Sequence, residues 1–241
     1  MKKHFRRSAW FTAACILFIV IEIALGIALQ ISSGRTIALF SFGAVILACL
    51  FCAVFADKSV EYALTQLALI LTVCADYFLI WSVPQQKLPA MLFFLVAQSA
   101  YAARLWFTAD AQERKAQAIS RGLLSAGIVI LTFTIVKDAT DALAIVSVLY
   151  YACLILNLFF SFFRFRSRAL LAIGFALFLL CDTVIGLDLL NGYLPIPADA
   201  LLYRIIRPGF NLAWVFYLPS QVLLALSLWP QAVRNPKNLK N

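Results

Sequence analysis

Charge is what this sequence has least of. Only 13% of its 241 residues are Asp, Glu, Lys or Arg, against about 25% in an ordinary soluble domain. With 64% hydrophobic residues and a mean hydropathy of +0.94, the polar surface is too small to cover a globule in water. The solvent for most of the chain is therefore lipid. Histidine is nearly absent: the one copy, His4, lies in the basic N-terminal stretch. That excludes Ser-His-Asp and Cys-His catalysis and every zincin motif. No glycine-rich phosphate loop occurs, and no lysine falls deep within an apolar run. Alternating segments of about ten residues are also missing, which argues against a transmembrane barrel.

The six cysteines, Cys15, Cys49, Cys52, Cys74, Cys153 and Cys181, all sit inside apolar runs. They read as small interior residues, not as a disulfide framework or a metal site. The net charge of +9 would suggest nucleic acid on a soluble protein. Here the basic residues fall mostly between apolar segments and no RNA- or DNA-binding motif appears, so no nucleic-acid partner is expected.

What the chain does have is apolar runs of membrane length. Helices are predicted at roughly 9–30, 37–56, 61–82, 88–108, 119–136, 142–163, 168–191 and 209–229, each near the ~20 residues that cross a hydrocarbon core of about 30 Å. Backbone groups in lipid must bond within their own segment, so helices are the default. The expectation is an all-α, polytopic membrane helix bundle of about eight transmembrane helices. It forms a single domain over residues 1–241, with a basic N-terminal tail at 1–8 and a C-terminal tail at 230–241. The first run resembles a signal peptide at its start but is too long and lacks a clean cleavage site, which favours a retained helix. With the N-terminus inside, 15 of the 20 Lys and Arg residues fall in inner segments and 5 in outer ones. The positive-inside rule then puts both termini in the cytoplasm. The short tails fit a bacterial inner membrane. The longest connection, Asn191 to Pro208, either caps the outer face or dips into the bundle.

Four acids fall within the predicted spans: Glu22, Asp76, Asp182 and Asp188. A charge at the bilayer centre costs at least about 2.5–3.5 kcal/mol on insertion scales, so such residues usually face a bundle interior or a wet cavity. Asp188 is near enough to its helix end to reach water. Asp76 and Asp182 are the informative pair. Both lie on helices that run outward, each roughly 21 Å from the inner end, so the two carboxyls can share one level of the membrane. Glu22 lies at a similar depth. The simpler alternative is that each acid only ties helices together by hydrogen bonds.

Other polar residues recur at helical spacing: Tyr62, Thr65, Thr72 and Asp76; Gln98, Tyr101 and Arg104; Tyr150, Asn157 and Arg164; Asn211, Trp214, Tyr217 and Gln221. Pro219 falls beside Gln221, where it removes a backbone bond and can kink the helix. Together these stripes predict a polar-lined cavity among the third, fourth, sixth, seventh and eighth helices. Interfacial anchoring accounts for Trp10, Trp81 and Trp229, and less well for a convergent set at mid-depth.

Three of these segments resemble the motifs of the YhhN-like family, which includes the lysoplasmalogenases. Leu67–Ile80 resembles the family's third-helix motif around an aspartate. Ala172–Gly186 resembles its Gly-Ala-Leu-Leu-Phe-x-x-Ser-Asp motif, and Trp214–Ser227 its closing Tyr-x-x-Ala-Gln-x-Leu-Ile motif. The likeness spans most of the chain in the expected order. Two positions depart from the family pattern. Gln98 stands where the fourth-helix motif has histidine, and Cys181 where a serine precedes the second aspartate.

The resemblance implies hydrolysis of the vinyl-ether bond of a lysoplasmalogen, releasing a fatty aldehyde, with no metal or other cofactor. Asp76 and Asp182 would be catalytic, sharing one proton between them. Gln98, Tyr101, Tyr217 and Gln221, with Tyr150 and Asn157, would hold the headgroup or water. The partner would be a membrane lipid or lysophospholipid. Two other readings stay open. Intramembrane carboxylates also suit a proton-coupled transporter. Gln98 cannot exchange a proton near neutral pH, which suits a non-catalytic lipid-binding protein of the same fold.

Overall fold

In a computed structural model, residues 9–32, 34–137, 140–163, 165–190, 197, 200, 201, 203 and 210–229 are described. They form eight α-helices: α1 (Ala9–Ile31), α2 (Arg35–Phe55), α3 (Val60–Asp76), α4 (Lys87–Phe107), α5 (Ala111–Val136), α6 (Ala142–Phe162), α7 (Phe165–Leu190) and α8 (Leu212–Leu226). Among the described residues there is no strand.

Three of the helices start on side-chain caps. The Ser59 hydroxyl accepts from the Tyr62 N–H at 3.1 Å, an Asp110 carboxylate oxygen from the Glu113 N–H at 2.9 Å, and one of Asp141 from the Ala144 N–H at 2.7 Å. Each satisfies a backbone donor that the first helical turn leaves open. The Asp110 cap explains why α5 begins at Ala111 and not near 119 as predicted. Its first two turns are too polar to register as an apolar span, yet they are helical. α7 bends at Arg168, whose backbone leaves the helical region (φ −137°, ψ 27°), so its apolar stretch begins there, as the sequence suggests.

Seven helices are long and apolar enough to cross a membrane; α8, with 15 residues, is shorter. At 1.5 Å per residue it spans about 22 Å. It is packed among α1, α2, α3 and α7, and Leu218, Leu224 and Ala225 on it are buried. The most exposed apolar faces lie elsewhere, for example Ile16, Ile23 and Ile27 on α1 and Leu123, Ile130 and Phe133 on α5. α5 packs mainly on α6 and contributes least to the core.

Contacts show which ends of α1, α3, α4 and α8 lie together. Phe11 at the start of α1 lies 5.3 Å, ring to ring, from Trp229 just beyond α8. Arg104 near the end of α4 bonds Thr65 near the start of α3 and Ser227 just after α8. These residues mark one end of the bundle. Asp76, Tyr217, Tyr150 and Asp182 meet towards the opposite end.

The closest helix contact joins α7 to α8. A Cβ on Gly174 would lie 3.1 Å from the Leu224 side chain and 3.2 Å from its backbone nitrogen. With any larger residue there, Leu224 would have to give way by a few tenths of an ångström. Gly174→Ala is expected to cost about 1–3 kcal/mol through overpacking, lowering the unfolding midpoint in detergent. Gly127→Ala, where nothing lies within 4 Å, is expected to be neutral or stabilising by up to about 1 kcal/mol. Equal midpoints for the two variants would refute the close-packing argument.

Candidate active site

Asp76 is the last α-helical residue of α3. The next five, Tyr77–Trp81, continue as a π-helical turn, a feature often found at functional sites. The α3 face carrying Thr65, Ala68, Thr72 and Asp76 is buried, at the helical spacing the sequence predicts. Asp76 is 2% exposed, and the Tyr217 hydroxyl on α8 donates to its Oδ2 at 2.5 Å. On α7, Asp182 accepts at Oδ2 from the Tyr150 hydroxyl of α6. Asp182 is partly exposed.

The two acid–tyrosine pairs are neighbours. The carboxyls of Asp76 and Asp182 are close enough to interact electrostatically with each other and with the thiol of buried Cys181. An aromatic cluster holds the four together. Phe178, one turn before Asp182, stands edge-on to Tyr217 (5.8 Å between centroids) and to Phe94 (6.2 Å). Phe94 in turn lies 5.6 Å from Tyr150, and Trp214 packs 5.4 Å from Tyr217. Among the described residues, neither acid has a cationic partner. Each keeps one oxygen on a tyrosine, which leaves the other for a proton or a water.

The remaining predicted site residues separate into other places. Gln98 and Asn157 meet each other. The Asn157 Nδ2 donates to both the Gln98 Oε1 and the Gln98 backbone carbonyl, at 2.9 Å each. Tyr101 is fully buried, edge-on to Phe175 at 5.3 Å, and its hydroxyl has no hydrogen-bond partner. Gln221 is buried and donates to the Ser220 hydroxyl at 3.2 Å, while its Oε1 is unpartnered. None of these four bonds to the acids. Tyr150 and Tyr217, read from the sequence as headgroup contacts, are the partners of the carboxylates themselves. Arg164 lies outside the described residues, as does most of the Asn191–Pro208 connection.

Glu22 does not join the pair. It is buried on α1 with Oε1 unpartnered. Its helix packs on α2 and α8, where Phe18 stacks on Phe51 at 4.3 Å and Gly26 approaches Leu218. Asp188 is exposed, as its place near a helix end suggests.

One polar group, Arg121, escaped the sequence reading, and a second, Arg104, falls in a stripe that does not show its partners. Arg121, one of the 15 basic residues of the inner segments, turns into the bundle and donates from Nη2 to the Asn157 Oδ1 at 2.9 Å. Arg104 is a latch: its guanidinium bonds Glu61 (3.2 Å), Thr65 (3.0 Å), the Ser227 hydroxyl (2.8 Å) and the Ser227 carbonyl (3.0 Å). The signal for Arg104 was its place in the Gln98–Tyr101–Arg104 stripe. For Arg121 it was one cation four residues past Gln117, at the start of an otherwise apolar run.

Compared with known proteins, residues 38–228 match the model of the YhhN family. No curated protein and no solved structure matches the chain.

Proposed function

The chain belongs to the YhhN family, a multi-pass membrane protein by its apolar helices, and on that premise we propose that it is a lysoplasmalogenase-like lipid hydrolase. We place it in a bacterial inner membrane, with both termini in the cytoplasm. The observation that carries the reading is the pair of acids from separate helices, each held by a tyrosine and neither neutralised by a cation among the described residues.

A vinyl ether hydrolyses by protonation at the carbon remote from oxygen. This produces an oxocarbenium ion, which water captures at the carbon attached to oxygen. The resulting hemiacetal collapses to an aldehyde and the glycerol hydroxyl. One water is consumed and the catalytic proton is returned. The sequence needs a carboxylic acid to give the first proton and a carboxylate to stabilise the cation and take a proton from water. Two carboxyls in a poorly solvated site that divide one proton supply both functions. Asp182, the more exposed of the two, meets substrate and water. Asp76, buried behind it, holds the negative charge. The tyrosine bonds fix each carboxyl's orientation, which keeps the reacting oxygens aimed at the substrate. The apolar faces of the surrounding helices accommodate the hydrocarbon chain.

Purified protein in mixed micelles is expected to release a long-chain aldehyde from a lysoplasmenyl lipid and none from the matching saturated alkyl-ether lysolipid, which offers no carbon to protonate. Equal turnover of an acyl lysolipid would reassign the activity to ester cleavage, and turnover of neither would remove the hydrolase reading.

A further inference from the structure

The Gln98 amide is held in one orientation. Its Oε1 accepts from Asn157 Nδ2, so its Nε2 points the other way, and that nitrogen is buried with no partner. Asn157 is itself held. Its Oδ1 accepts from Arg121 Nη2 at 2.9 Å, and its Nδ2 also bonds the Gln98 carbonyl at 2.9 Å. The order is set by chemistry. A guanidinium has only donors, so Arg121 forces the Asn157 oxygen towards itself and the Asn157 nitrogen towards Gln98. That nitrogen forces the Gln98 oxygen back and the Gln98 nitrogen forward. Among the described residues, Arg121 has no carboxylate in contact. Its other contacts are the Cys153 sulfur at 3.6 Å and the Phe160 ring, 5.9 Å from the guanidinium carbon. The whole chain of bonds, from α5 through α6 to α4, therefore ends on one pair of unsatisfied N–H groups. A buried donor left without a partner costs about 1–3 kcal/mol, which a bound acceptor would recover.

We infer that Arg121, acting through Asn157, is a positioning residue that presents the Gln98 amide as a donor to a lone-pair oxygen of the bound lipid, such as a glycerol hydroxyl or ether oxygen. Gln98 lies on α4 one turn from Phe94, which packs against Tyr150 of the acid pair. The donor thus sits further into the bundle, one turn along α4 from the residue that packs on Tyr150 of the acid pair. This deepens the hydrolase reading and rests on it for the identity of the lipid. The positioning itself has an independent readout. The arrangement also explains how glutamine serves at this place: fixed by Arg121, it is a donor of one sense only.

The test uses the full-length protein in micelles and a saturated alkyl-ether lysophospholipid as a non-hydrolysable probe, with affinity measured by calorimetry. Asn157→Asp keeps the acceptor for Arg121 but removes the donor to Gln98. It is expected to weaken probe binding tenfold or more. Arg121→Met is expected to do the same, while Arg121→Lys, which still donates to Asn157, restores most of the affinity. With a vinyl-ether substrate the same variants raise KM and leave kcat within about threefold. Unchanged affinity in Asn157→Asp, or loss of affinity in Arg121→Lys equal to that in Arg121→Met, overturns the proposal, as does a wild-type protein that does not bind the probe. A protein that binds the probe with this variant pattern but releases no aldehyde upholds the positioning and refutes only the hydrolase reading. Unfolding midpoints of the three variants, measured alongside, identify any loss of binding that is only loss of fold.

Discussion

Asp182→Asn and Asp76→Asn are each expected to reduce aldehyde release by at least about a thousandfold. General acid–base catalysis contributes about 10²–10⁴ per step, and the proposed reaction draws on the same shared proton twice. Asparagine preserves the shape of the side chain and an acceptor for the tyrosine, so the bonds from Tyr150 and Tyr217 survive. The amide can neither give the proton to carbon nor take one from water. The loss should therefore appear in kcat, with KM and the unfolding midpoint little changed. Tyr217→Phe should be milder, about tenfold, because it removes the orienting bond and leaves the carboxyl. Full activity in both asparagine variants would dispose of the mechanism. Proton-driven uptake by proteoliposomes, sensitive to the same substitutions and without lipid turnover, would transfer the acid pair to a carrier.

Arg104→Met should cost about 3 kcal/mol of stability. The side chain is 3% exposed and its partner Glu61 is 42% exposed, so the two ends of this ion pair are unequal. Removing the arginine withdraws donors from Thr65 and from Ser227, at the point where α3, α4 and the end of α8 are tied. Hydrogen bonds to charged groups contribute about 1.5–3 kcal/mol each, partly offset because burying the charge is itself costly. Glu61→Gln, by contrast, should cost no more than about 1 kcal/mol, since its carboxylate is half in solvent and the pair is screened. The measurement is the thermal unfolding midpoint of each variant in the same detergent. A Glu61 variant as destabilised as the Arg104 variant would mean that the ion pair, and not the set of hydrogen bonds to Thr65 and Ser227, holds this end closed.

Particular residues show how far the sequence could be read. The helical runs were legible because each element in lipid must satisfy its own backbone, so a stretch of about 20 apolar residues leaves one choice. The misplaced start of α5 follows from the same rule: its first turns, Ala111–Ile119, include Glu113, Arg114 and Lys115, and hydropathy does not register polar helix. Asp76 and Asp182 stood out because an ionisable group in a span is costly, and their spacing from the helix ends put them at one level. Glu22 satisfied the same two criteria and lies elsewhere. Depth along the axis is set by counting residues, but rotation about the axis and the choice of neighbour are not.

The amino-acid sequence by itself determined the solvent, the helical class, the order of the spans and the short set of acids able to do chemistry, because each of these depends on local composition and on distances along one helix. Tertiary structure alone decided that Tyr217 serves Asp76 while Tyr150 serves Asp182, that Gln98 faces Asn157 and not the acids, and that Arg121 turns inward. Those pairings join residues 32 to 141 positions apart. They depend on how close the helices come, as at Gly174 against Leu224, and interhelical packing has no signature in any single span.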